Sequence, residues 1–127
     1  MKPRRPYLLR ALHEWIVDSD EVPYVLVDAT IAGVQVPAEH VQDGQIVLNL
    51  GLNAVQDLVI EDEHVMCSGR FSGKHFNLYL PMASISAIYA KDTQQGMIFQ
   101  PEDLSADGGD KEEDPTPADD KPTLRLV

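Results

Sequence analysis

The sequence predicts a mostly-β domain with two helices, arranged as a small sandwich or barrel and followed by an acidic tail. Three observations lead there. Short runs rich in β-branched and aromatic residues are separated by Gly, Pro, Asn and Asp turn signals. Two stretches, one near each end of the body, carry apolar residues at helical spacing. Past Pro101 the composition changes. Residues 102–127 hold 9 acids and 3 bases, against 12 acids and 7 bases in residues 1–101, so about half of the net charge of −11 lies in the last fifth of the 127 residues.

The first helix is expected over Pro6–Asp18. Proline suits a first helical position, and Leu8, Leu9, Leu12, Trp15 and Ile16 form one apolar stripe. Such a stripe packs either on its own domain or on a second copy. Tyr24–Ala29 follows Pro23 and reads as a strand. Ala32-Gly33 is a turn, Val34–Pro37 a short extended piece, and Asp43-Gly44 a hairpin-type turn. Gln45–Leu50 alternates, with Ile46, Leu48 and Leu50 on one face and Gln45, Val47 and Asn49 on the other. Val55–Ile60 is a further strand. His64–Phe71 and His75–Leu80 flank Ser72-Gly73-Lys74, read as a three-residue hairpin loop. The second helix is expected over Met82–Lys91, from Met82, Ile85, Ile88 and Tyr89. Gln94-Gln95-Gly96 ends it, and Met97–Phe99 forms a last strand before Pro101 closes the body.

The domain organisation is therefore a body over 1–101, an acidic linker over 102–120 and a terminal segment over 121–127. Residues 102–120 have too little apolar surface to offset their ordering entropy and are expected to be disordered, spanning roughly 25 Å root-mean-square as a flexible chain. Lys121-Pro122-Thr123-Leu124-Arg125-Leu126-Val127 is a basic-apolar plug at the end of an acidic run. It reads either as a frayed terminus or as a docking peptide.

The charge balance disfavours nucleic acid, whose binders present basic stripes that release phosphate counterions. No run approaches a membrane span, and Met1–Arg10 lacks the apolar core of a signal peptide. The single Cys67 permits no internal disulfide, in keeping with a soluble cytoplasmic protein. No metal, cofactor or catalytic site is expected. His13, His40, His64 and His75 have no partner at metal-ligand spacing, and nucleotide-binding and hydrolase motifs are missing. Gly69-Arg70-Phe71-Ser72-Gly73 is open to two readings. Phe71 is a core residue of an ordinary hairpin, or it walls a peptide groove that the glycines leave open.

One further pattern is more specific than any of these. Arg4-Arg5-Pro6-Tyr7-Leu8-Leu9-Arg10-Ala11 with Trp15, Val27-Asp28-Ala29-Thr30, Gly33-Val34-Gln35-Val36-Pro37 and Asp43-Gly44-Gln45-Ile46-Val47-Leu48-Asn49 together resemble the stringent starvation protein B (SspB) family. Arg70-Phe71-Ser72-Gly73, Ala87-Ile88-Tyr89-Ala90 and Phe99-Gln100-Pro101-Glu102 extend the resemblance over residues 3–102, and it resumes at the tail end. The resemblance implies a non-enzymatic adaptor of the ClpXP protease that binds proteins carrying the ssrA degradation tag. It implies a homodimer joined through Leu8, Leu12, Trp15 and Ile16, and a body similar to Sm-like folds. By position in the matching segments, the tag groove would use Val47, Asn49, Gly69, Arg70 and Phe71, with Met97 or Ile98 as an outer wall. Gly69 stands where the family usually has Ala. Pro122, Leu124, Arg125, Leu126 and Val127 would dock on the N-terminal zinc-binding domain of ClpX. Here the family's closing pattern, near Arg-Pro-x-Leu-Arg-Val-Val-Lys, keeps its Leu-Arg pair but lacks the final Lys. An Sm-like nucleic-acid-binding module is the alternative, and the body's charge of −5 opposes it.

Overall fold

The computed structural model describes residues 1–104. The linker beyond Leu104 and the terminal plug, including Pro122 and Leu124–Val127, lie outside the described residues. Arg5–Phe99 forms one compact unit, and among the described residues Met1–Arg4 groups with Gln100–Leu104.

The larger unit is one helix and two antiparallel sheets. Helix α1 spans Arg5–Asp18. Its end is a Schellman motif: Glu21 N–H donates to Ile16 O (3.1 Å) and Asp20 N–H to Val17 O (3.0 Å), with Asp20 in the left-handed region at φ 61°. Strands β1 (Pro23–Asp28), β2 (Gln45–Asn49), β6 (Ile85–Ala90) and β7 (Gly96–Ile98) form a sheet of order β2-β1-β6-β7. Strands β3 (Val55–Ile60), β4 (His64–Phe71) and β5 (Lys74–Pro81) form the other, with β4 central. At the end of β1 the Asp28 carboxylate accepts from Thr30 Oγ1 (2.6 Å) and Thr30 N–H (3.0 Å), and these bonds hold its pKa below the usual value.

Alternation along the strands builds the core. Val25 and Val27 of β1, Ile46 and Leu48 of β2, Val65 and Cys67 of β4, and Leu78 and Leu80 of β5 are all buried. Helix α1 adds Leu9 and Ile16, and lies against β6, β1 and β3. In the smaller unit, the buried Asp103 carboxylate accepts from Arg4 Nε (2.5 Å) and from the Gln100 amide (2.7 Å), which holds the 3-10 turn Pro101–Leu104.

Three expectations are corrected. The second helix is absent: Met82–Ser84 is a single 3-10 turn, and Ile85–Ala90 is strand β6. β6 lies between β1 and β7 and buries Ile85, Ala87, Ile88 and Ala90. A bulge opposite Leu26 and Val27 gives β6 one extra residue, Ser86, so Ile85 and Ile88 fall three apart and their spacing coincides with that of a helix. The β4–β5 loop has two residues, not three. Ser72 (φ 54°) and Gly73 (φ 81°) form it alone, both in the left-handed region of a type I′ turn, and Phe71 pairs directly with Lys74. Finally, the sheets do not close into a barrel. The outer edge of β5 is taken by a bridge between Gln35 and Tyr79 (N···O 2.8 and 3.1 Å), and β3 carries a bulge between Gln56 and Val59 with Asp57 at φ 57°. A bulge adds twist at an edge and discourages further pairing there.

Candidate functional site

A groove of about 740 Å³ lies where the β2–β3 connection meets the paired ends of β3 and β4. It falls within the range of ligand sites, roughly 300–1,000 Å³. Its floor is made by cross-strand register: Gly69 sits opposite Val55, Ser68 opposite Gln56, and Arg70 opposite His75. Gly69 keeps the floor low. A Cβ there would lie 3.3 Å from Ala54 O and 3.5 Å from both Phe71 Cε2 and Val55 Cγ1.

Phe71 forms an apolar wall. It is half-buried, meets Phe76 edge-on at 6.3 Å between centroids, and lies 5.9 Å from the His40 ring. Two aromatic neighbours hold its rotamer and leave one side facing the groove. His40 Nε2 also stands 3.5 Å from Ser72 Oγ, too long for a strong hydrogen bond. On the opposite bank, Asn49 Oδ1 accepts from Gly51 N–H at 2.7 Å, which fixes the turn out of β2. The charge of the lining is distinctive. Arg70 and His75 are among the lining residues and no Asp or Glu is, in a chain whose net charge is −11. Cys67, one step along β4, faces the core, where burial pushes its thiol up to about 11.

A family model described as stringent starvation protein B matches residues 3–124. A stringent starvation protein B homolog from Haemophilus influenzae is 47% identical over 102 residues, covering 80% of this chain and 68% of that protein. The chain belongs to the SspB family.

Of the residues singled out in the sequence, Asn49, Gly69, Arg70 and Phe71 come together in this groove. Val47 lies on the same face of β2 as Asn49, 47% exposed, but outside the groove lining. Met97 and Ile98 are placed elsewhere: they sit on β7, at the opposite edge of the sheet from β2. On α1, Trp15 is 47% exposed and Leu8 and Leu12 are half-buried, whereas Ile16 is buried at 2% in this chain's own core.

The groove also contains Leu52, Asn53, Ala54, Gln56, Ser68 and His75, which sequence reading did not select. Two of them had a usable signal. A two-residue loop at Ser72-Gly73 sets Arg70 against His75, whereas a three-residue loop displaces that pairing. Leu52, between Gly51 and Asn53 and 71% exposed, is the other. Among the described residues no group of three His, Cys, Asp or Glu is arranged to hold a metal, and no helix is long and apolar enough to cross a membrane.

Proposed function

We propose that this SspB-family chain is a non-enzymatic adaptor that binds ssrA-tagged proteins in the Gly69–Phe71 groove and delivers them to the ClpXP protease in the cytoplasm. The observation that carries the binding reading is the groove's chemistry. It is acid-free, holds Arg70 and His75, and has an aromatic wall in Phe71. That set suits an extended peptide with acidic and amide side chains, to which Arg offers a planar fork of donors and Phe a packing face.

Dimerisation completes the proposal. Tyr7, Leu8, Ala11, Leu12 and Trp15 lie at helical spacing on α1, and Tyr7 and Trp15 are 46% and 47% exposed. A stripe of this kind on a short helix is covered economically by its copy across a two-fold axis. Ile16 supports the stripe from within the core. Lys121–Val127, with Pro122, Leu124, Arg125, Leu126 and Val127 as contact residues, is proposed to dock on the N-terminal zinc-binding domain of ClpX.

The test is a fluorescence-anisotropy titration of a labelled ssrA peptide against the full chain. Specific binding is expected, weakened at least tenfold by Arg70→Glu and by Phe71→Ala, about 1.4 kcal/mol or more in each case. Binding that survives both substitutions moves the tag site out of this groove.

A further inference from the structure

The hairpin sets the two basic lining residues of the groove against each other. The two-residue turn at Ser72-Gly73 fixes the β4–β5 register, so Arg70 stands directly opposite His75, one pair in from the Phe71–Lys74 pair that closes the hairpin. Directly opposed residues of antiparallel strands share one face of the sheet, with Cβ atoms about 4.5–5.5 Å apart. At that spacing one carboxylate can accept from both, one oxygen from the guanidinium and the other from an imidazole N–H. Both side chains are exposed, and among the described residues neither makes a side-chain hydrogen bond or an ion pair. We propose that His75 determines specificity in this groove: together with Arg70 it seats one acidic side chain of the bound peptide, and it takes up a proton as it does so.

The surroundings favour a carboxylate at this pair. Arg70 and His75 are the only lining residues with ionisable side chains. Around His75, β4 contributes Arg70 and β5 itself contributes Lys74. The 3-10 turn Ala38–His40 comes up to the hairpin, His40 Nε2 standing 3.5 Å from Ser72 Oγ, and contributes Glu39 and His40. On β3, Val55 and Gln56 line the groove and are neutral, while Asp57, at the bulge, does not line it. In an empty groove, a protonated His75 opposite Arg70 places two like charges side by side, which is unfavourable in a sheet. A carboxylate between them replaces that repulsion with two charge-assisted hydrogen bonds. Histidine is the side chain whose charge changes between about pH 5 and pH 8, and an opposite charge within about 4–6 Å favours its protonated form. Binding therefore tightens the imidazole's hold on its proton. The extra affinity is complete below the pH at which the free imidazole protonates, and it is lost as the pH rises past the point where the bound imidazole gives its proton up. Peptide carboxylates stay ionised above about pH 5, so the dependence over this window belongs to the protein.

This inference rests on the peptide-binding reading above and deepens it. The test titrates the labelled ssrA peptide against the full chain at constant ionic strength, from about pH 8 down to about pH 5.5. Affinity is expected to rise about three- to tenfold over that range. In His75→Gln, which keeps a hydrogen-bond donor but does not titrate, affinity should no longer change with pH. His75 is exposed on its strand, so that variant keeps its fold, and circular dichroism checks it. His40→Gln should keep the slope of the parent. A peptide whose acidic residues are replaced by their amides should bind with no pH dependence. Calorimetry near neutral pH, in two buffers of different ionisation enthalpy, reads the proton directly: net uptake on binding to the parent and none on binding to His75→Gln. If the peptide binds with an affinity that is flat in pH, or if the slope survives His75→Gln or is lost in His40→Gln, the role given to His75 is wrong and the groove stands. If no peptide binds at any pH, the peptide-binding reading falls and takes the inference with it.

Discussion

Gly69 shows how one residue sets the shape of this site. It lies in the middle of a strand, where glycine costs about 0.5–1 kcal/mol against alanine, and no turn requires it there. The space above it is tight but not closed: an added Cβ meets Ala54 O at 3.3 Å and Phe71 and Val55 at 3.5 Å. Gly69→Ala is therefore expected to fold with stability within about 1 kcal/mol of the parent and to raise the groove floor by one methyl. A thermal melt and a peptide titration check the two halves of that statement. A loss of fold would mean that Ala54 cannot give by a few tenths of an ångström. Cys67, two residues away, is a contrast. Its thiol is pushed up to about 11 by burial alone, with no basic neighbour acting on it. At pH 8 the thiolate fraction is about a hundredfold below that of an ordinary cysteine near 9. Folded protein should accordingly react with Ellman's reagent orders of magnitude more slowly than protein in denaturant. Rapid labelling of the folded chain would place Cys67 at the surface.

At the scale of elements, most of the body was legible because its strands are bounded by strong turn chemistry. Val55–Ile60 and His64–Phe71 have the bounds the sequence predicted, and α1, β1, β2, β5 and β7 agree to within a residue or so at each end. The second helix was expected because a bulge puts one extra residue into β6 and breaks its alternation, so Ile85, Ile88 and Tyr89 fit a helix equally well. The site was half legible. Gly69, Arg70 and Phe71 are contiguous and conspicuous, but Leu52, Asn53 and Ala54 belong to a connection that has no pattern until register places it beside β4. Strand β7 carries an element-level prediction of its own. Gly96 pairs with Tyr89, and a Cβ there would overlap the Ile88 carbonyl oxygen and come within 2.5 Å of Tyr89 Cα, both fixed backbone atoms. Gly96→Ala should therefore cost about 1–3 kcal/mol and release the β7 edge first. Hydrogen exchange would show it as lost protection at Ile98 and at its partner Ala87, with the β3-β4-β5 sheet unchanged. Uniform loss across both sheets would mean that β7 is integral to the core.

For the whole molecule, the proposal divides labour between a body that captures the tag and a terminal segment that captures the protease. Linking two binding sites in one chain makes the second event intramolecular, at an effective concentration near millimolar for a short flexible connection. Each interaction can then be weak while the assembled complex persists, and two copies of the tail in a dimer multiply the effect. Deleting Lys121–Val127 separates the two roles. Affinity for an ssrA peptide is expected to stay within about twofold, because none of the groove residues is touched. Degradation of an ssrA-tagged reporter by ClpXP, at reporter concentrations well below its unaided KM, is expected to fall to the rate seen with no adaptor. With substrate held but no longer delivered, excess deleted protein should slow degradation below that rate by sequestering the tag. The decisive comparison is Leu124→Ala, Leu126→Ala in the full-length chain, which keeps length and net charge. If that variant still accelerates degradation as the parent does, protease capture resides in the body, and the acidic tail has some other use.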